Sequence, residues 1–203
     1  MTGVVLAGGK SSRMGQEKGL VEVRGQRMIF TVTSILRHAP EVDSVIVVTN
    51  NPERFSFLDL PMIPDYFPGK GPLAGIHAAL NVVRDWIFVA ACDMPFLSPE
   101  LPRYLWDRRD GRDLVVPHIH GHWATVAALY GPRCLGALNR VLRLGTLGLK
   151  DVLGGLQFRQ VSAQDLSRAG IYTESFLSVN TLQDLSQVHT MALNGTRGSG
   201  SCP

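Results

Sequence analysis

The segment Trp86–Cys92 (WIFVAAC) is apolar at every position. It is too short for an ordinary helix and shows no alternation of apolar and polar residues, so it reads as a strand buried on both faces. A strand of that kind lies inside a sheet covered by helices on either side, which commits the chain to a layered α/β architecture. Thr2–Ala7 and Ser44–Thr49 (SVIVVT) have the same character. Between these runs the periodicity changes to that of helices: Gln26–His38 puts Ile29, Val32, Ile35 and Leu36 on one face. Pro72 suits a first helical turn and is followed by Leu73, Ile76, Leu80 and Val83. Met62–Pro64 is a short extended piece. The pattern predicts a three-layer, Rossmann-like sandwich around a mostly parallel sheet, with Trp86–Cys92 as its central strand.

The second half is less regular. Leu114–Pro117 and Thr125–Leu129 read as strands separated by a turn around Gly121, an antiparallel excursion. Pro132–Leu144 carries Leu135, Leu138 and Leu142 and reads as a helix. Phe158–Val161 and Phe176–Val179 read as short strands. Thr181 opens a last helix with a T-x-x-D signal to Asp184 and an apolar row of Leu182, Leu185 and Val188. Residues 1–190 are expected to form one domain, and the Gly/Ser-rich residues 191–203 a disordered tail.

With 203 residues, 45% of them apolar and 18% charged, the chain can bury a full core. A net charge of +3 without a dense Lys/Arg stripe argues against a nucleic-acid partner and suits a small anionic ligand. Cys92, Cys134 and Cys202 are odd in number and form no C-x-x-C pair, so neither a disulfide framework nor a zinc site is expected. No apolar run approaches the roughly 20 residues that span a bilayer. The N-terminus does not read as a signal peptide. A cytoplasmic protein with no membrane partner is the expectation.

The chemistry clusters where strands end. After the first strand comes Leu6-Ala7-Gly8-Gly9-Lys10-Ser11-Ser12-Arg13-Met14-Gly15. Glycines at 8 and 9 allow a sharp turn that exposes successive N–H groups, and Arg13 and Lys18 add a forked and a point cation. Such a loop suits a triphosphate; a plain glycine turn with two solvated cations is the simpler alternative. The spacing fits neither a Walker A loop nor a dinucleotide fingerprint. Asp93, past the carboxyl end of Trp86–Cys92, stands where ligands gather in open α/β sheets and offers a hard oxygen for Mg²⁺, or it caps the turn at Met94–Leu97. Asp65 could accept from a guanine N–H edge or help to hold the metal, but the plainer reading is an Asx turn. Gly71 and Gly75 flank a helix start whose amides can meet phosphate. His118, His120 and His122 would face one way on an extended strand, open to metal ligation, to contact with an anionic second substrate, or to neither. Asn180 is either a side chain at the mouth of the sheet or a helix cap.

Taken together and in order, Leu6-Ala7-Gly8-Gly9 with Arg13-Met14-Gly15 and Lys18, Asp65 with Gly71-Pro72-Leu73-Ala74-Gly75, Cys92-Asp93-Met94-Pro95-Phe96, and Val179-Asn180-Thr181 resemble the molybdenum cofactor guanylyltransferase family. The resemblance reaches to about Thr181 and implies the fold of nucleotide-diphospho-sugar transferases. It also implies transfer of GMP from GTP to Mo-molybdopterin with release of pyrophosphate and a requirement for Mg²⁺. By resemblance, Leu6, Ala7, Gly8 and Gly9 line the nucleotide site with Asn50 and Asp65, Arg13 and Lys18 act on phosphate, Asp93 binds GTP and magnesium, and Gly75 and Asn180 lie on the molybdopterin side. Molybdoenzyme apoproteins or their chaperones would receive the product. Glu17 departs from the family's usual aspartate but keeps the charge. The cytidylyl-transferring relatives, which tend to carry a second alanine where Gly8 stands, and a molybdopterin carrier without turnover are the rival readings.

Overall fold

The computed structural model describes residues 1–8, 17–145, 148–180 and 184. Gly9, Arg13, the expected last helix apart from Asp184, and the tail 191–203 lie outside these residues. The strands are β1 (Thr2–Leu6), β2 (Glu22–Val23), β3 (Gln26–Arg27), β4 (Ser44–Val48), β5 (Met62–Ile63), β6 (Ile87–Ala91), β7 (Leu114–Ile119), β8 (His122–Trp123), β9 (Ala128–Tyr130) and β10 (Phe158–Ser162). The helices are α1 (Met28–His38), α2 (Pro72–Val83), α3 (Leu101–Trp106), α4 (Cys134–Leu144), α5 (Leu149–Leu153) and α6 (Ala163–Arg168). The main sheet runs β10-β7-β9-β6-β1-β4-β5, with β8 paired to β7. Its pairings are parallel except where β9 meets β6 and β7 and where β8 meets β7. The sandwich and the central place of β6 follow the sequence reading.

Strand alternation builds two cores. Val5, Val45, Val47, Phe88, Ala90 and Val115 point to one face and pack with Ile29, Val32 and Leu36 of α1, Leu101 and Leu105 of α3 and Leu166 of α6. Val4, Leu6, Ile46, Val48, Ile87 and Val89 point to the other, against Leu73, Ile76 and Leu80 of α2, Leu138 and Val141 of α4 and Val152 of α5. Because both faces are covered, β1, β4 and β6 need apolar residues at nearly every position. Residues 73–80 of α2 are all buried, since this helix lies on the sheet and also against α4, where His77 Nε2 meets Asn139 Oδ1 at 2.8 Å.

Three expectations change. Phe176–Val179 is not a strand: Thr173–Phe176 forms a 3₁₀ turn, and the Val179 N–H donates to the carbonyl of Asp93 at 2.9 Å. The Val179 side chain fills a small cluster with Val23 and Met28 instead of a ladder. The three histidines do not share a face, because the chain reverses at His120 (φ 49°) and Gly121 (φ 82°). His118 ends up tilted against Trp123 with ring centroids 4.6 Å apart, while His120 and His122 are exposed. The start of the expected first helix pairs as β3 with β2, so α1 begins at Met28. Among the described residues no helix is long and apolar enough to cross a membrane.

Two glycines give opposite expectations. A Cβ on Gly131 would stand 2.9 Å from the Asp113 carbonyl oxygen and 3.0 Å from the Trp86 ring, whereas Gly136, on the exposed side of α4, meets nothing within 4 Å. Gly131→Ala should therefore destabilise the fold by about 1–3 kcal/mol. Gly136→Ala should stabilise it by about 0.5–1 kcal/mol. Urea midpoints of the two variants check both signs.

Candidate functional site

Leu6 of β1 pairs with Val48 of β4 on one side and with Ala91 of β6 on the other. The ladder continues one step further, Ala7 N to Val48 O at 2.9 Å and Cys92 N to Leu6 O at 3.1 Å. Three strands thus end level, and the first residues beyond them are Gly8, Asn50 and Asp93. A cavity of about 360 Å³ opens there, lined by Leu6, Ala7, Gly8, Lys18, Asn50, Asp65, Gly71, Gly75 and Asp93 among others. A wider depression of about 680 Å³ along the outer edge at β5 is open to solvent and lined by Glu53 and Asp59 without a basic side chain, which does not suit a triphosphate.

On the β4 side, the side-chain oxygen of Asn50 accepts from the backbone N–H of Asp65 at 3.0 Å, tying the chain after β4 to the chain after β5. That bond fixes the amide's orientation and leaves its N–H groups without a protein partner among the described residues. Thr49 is turned inward, its hydroxyl accepting from the Asn51 N–H at 3.1 Å, and the Asn51 side chain goes to Glu17. Of this trio Thr49 and Asn50 line the cavity and Asn51 does not. Asp65 forms the Asx turn that the simpler reading favours, Oδ1 accepting from Phe67 N–H at 2.7 Å, and still lines the cavity. Gly71 has φ 72° and ψ −164°, a conformation open only to glycine, and so delivers Pro72 as the first residue of α2. Gly75 lies within α2, where a Cβ would come 2.9 Å from Leu6 Cδ2; its missing side chain lets the helix approach β1.

On the β6 side, Asp93 is only 7% exposed. Lys18 Nζ donates to its Oδ2 at 3.2 Å and also to Asn180 Oδ1. Asn180 is fixed in turn by Nδ2 donating to Ser178 O at 3.2 Å and by its backbone N–H donating to Asp184 Oδ2 at 2.7 Å. Asp93 Oδ1 is buried and has no hydrogen-bond partner among the described residues. A desolvated carboxylate oxygen left unpaired is costly and marks a place for a ligand. One hard carboxylate oxygen, with no cluster of three metal-ligating side chains among the described residues, fits Mg²⁺, which keeps waters and takes further oxygens from phosphate.

Sequence reading missed what holds Lys18 in place. Glu17 accepts from Asn51 Nδ2 at 3.0 Å and from Arg54 at 3.1 Å, clamping the loop to the 3₁₀ segment Pro52–Leu58. A Cβ on Gly19 would stand 3.3 Å from Ile29 and from Phe55 and 3.4 Å from Cys92, so glycine lets the backbone lie close over these side chains without displacing them. A glycine next to the key lysine was the available signal, and its partners are remote in sequence. Cys92, quoted above with Asp93, also lines the cavity, as do Val126 and Ser178, which carry no motif signal of their own.

A profile of the MobA-like NTP transferase domain matches residues 3–162. A protein of Pelotomaculum thermopropionicum named "Probable molybdenum cofactor guanylyltransferase" is 38% identical over 97% of this chain and 96% of its own length. A "Molybdenum cofactor guanylyltransferase" of Desulfosudis oleivorans is 30% identical over 92% and 93%. The crystal structure of molybdopterin-guanine dinucleotide biosynthesis protein A from Archaeoglobus fulgidus superposes with a TM-score of 0.81 at 28% identity, covering 96% of this chain and all of that one. A 4-diphosphocytidyl-2C-methyl-D-erythritol synthase from Anaerococcus prevotii shares the fold, with a TM-score of 0.73 at 10% identity.

Burial first, and the charge of Asp93 second, push the Cys92 thiol up to about 12. It is therefore protonated, and not a nucleophile, throughout the neutral range. Cys92→Ala should keep nucleotidyl transfer within about twofold of the parent, and peptide mapping after iodoacetamide treatment at pH 7.5 should find Cys92 unmodified until the protein is denatured.

Proposed function

The chain belongs to the MobA-like NTP transferase family, and from that membership and the geometry around Asp93 we infer that it transfers GMP from GTP to Mo-molybdopterin, releasing pyrophosphate and forming molybdopterin guanine dinucleotide. The observation that carries the nucleotidyl-transfer reading is the buried Oδ1 of Asp93, unpartnered among the described residues, beside the Lys18 ammonium at the level strand ends where the cavity opens.

The chemistry asks little of the protein in proton transfer. An oxygen of the acceptor's terminal phosphate is already ionised, so it attacks the α-phosphorus of GTP without a general base. The new O–P bond forms as the bond from the α-phosphorus to the bridging oxygen breaks, and pyrophosphate leaves with the electron pair. Catalysis rests on placing two anions together and neutralising their charge. Lys18 supplies a fixed cation, held by Asp93 and Asn180 so that it need not be ordered during the reaction. Asp93 Oδ1 is the oxygen that would hold Mg²⁺, which when bound shields the phosphates and steadies the leaving pyrophosphate. Arg13 would add a forked donor from the glycine-rich loop. Asn50 and Asp65, tied to each other, present amide donors and a carboxylate to the base, a pairing that suits the N–H edge and carbonyl of guanine. Among the described residues nothing lies within 4 Å of the position a Cβ on Gly8 would take, so a methyl there would not enter the core. Glycine at that position is a matter of room for the ligand. The dinucleotide is destined for molybdoenzyme apoproteins or their chaperones.

Asp93→Ala should fold normally and lose transfer by about a thousandfold; near-parental transfer with Mg²⁺ by the purified variant would refute the metal role. Calorimetry should find GTP binding at least about tenfold tighter than CTP, a difference of ~1.4 kcal/mol. Tighter CTP binding would make the protein a cytidylyltransferase, and absence of pyrophosphate release with all substrates present would make it a carrier.

A further inference from the structure

Arg24 is an exposed cation that none of the steps above uses, on a hairpin whose base packs against residues neighbouring Asp93 and Asn180 in the chain. It occupies the two-residue loop between β2 and β3, with φ 55°, followed by Gly25 with φ 75°. Positive φ at both loop positions is the turn that asparagine followed by glycine takes most readily, and arginine is a poor first residue for it. The hairpin is nonetheless well anchored. Val23 and Met28 at its base pack with Phe96 and Val179. Phe96 lies three residues beyond Asp93 in the chain. Val179 donates to the Asp93 carbonyl, and its neighbour Asn180 touches Lys18. Both loops that carry polar groups on the β6 side of the site are thus fastened to this hairpin, whereas Asn50 and Asp65 follow β4 and β5, beyond β1 in the sheet.

The Arg24 guanidinium carbon lies 5.7 Å from the centre of the Phe96 ring. No carboxylate pairs with it among the described residues. Held near an aromatic ring in this way, a guanidinium keeps N–H donors available to an oxyanion. The reaction needs such a donor. Its nucleophile is a phosphate monoester approaching a triphosphate, and Lys18 is already engaged by Asp93 and Asn180.

We propose that Arg24 binds the terminal phosphate of the acceptor and holds its attacking oxygen toward the α-phosphorus, the Phe96 ring fixing the guanidinium in place. This assignment rests on the guanylyl-transfer reading above. Arg24 exchanges no proton in the step; it pairs two N–H donors with phosphate oxygens and leaves one oxygen to form the new bond.

Steady-state kinetics of Arg24→Asn separate this role from a structural one, because asparagine suits the turn better than arginine and should leave the thermal midpoint unchanged or raised. The KM for Mo-molybdopterin should rise by at least about tenfold, as expected for losing a charge-assisted pair. The KM for GTP should not change, and Arg24→Lys should recover part of the loss. An unchanged acceptor KM in Arg24→Asn, or an equal rise in the KM for GTP, would overturn the assignment while leaving the transferase reading intact. Failure of the parent protein itself to release pyrophosphate from GTP and Mo-molybdopterin would instead refute that reading, and the Arg24 role with it.

Discussion

The pairing of Leu6 with both Val48 and Ala91 is the constraint from which the site follows. Parallel neighbours in this register stop at the same height, so the residues just past each strand, Gly8, Asn50 and Asp93, are brought to one rim although they are far apart in sequence. Full coverage of both sheet faces secures that register. A slip by one residue would turn Val4, Leu6, Ile46 and Val48 away from α2 and into the opposite core. The apolar character of β1, β4 and β6 and the position of the polar site are therefore one fact seen from two ends.

At that rim the polar groups divide into two sets. On the β4 side the groups satisfy one another: Asn50 to Asp65, Asp65 to Phe67, Thr49 to Asn51. These bonds make a stiff frame with a few donors and acceptors left over, as recognition of a base requires. On the β6 side Lys18 bridges Asp93 and Asn180, and one oxygen of Asp93 is buried without a partner among the described residues. A protein core rarely keeps such a group unless a ligand completes it. The proposed function uses that difference, assigning reading of the base to one side and handling of phosphate charge to the other.

Much of this was legible in the sequence. The uninterrupted run WIFVAAC is seldom anything but a doubly covered strand, and it placed β6 at the centre of the sheet and Asp93 at its carboxyl end. The reading failed where local pattern and tertiary demand part. Phe176–Val179 looks like a strand, yet its valine serves the small cluster with Val23 and Met28. The alternating histidines looked like one face until the turn at His120 and Gly121 split them. The clamp by Glu17 on Arg54 and the packing of Gly19 under Phe55 depend on contacts between residues more than thirty positions apart, which no local spacing reveals.

The most direct test of the account is a crystal structure of the protein grown with GTP and Mg²⁺. The account predicts a metal ion on Asp93 Oδ1 bridged to the phosphates, Lys18 alongside them, and guanine between Leu6–Gly8 and the Asn50–Asp65 pair. A nucleotide bound with its phosphates away from Asp93, or a metal held without that carboxylate, would contradict it.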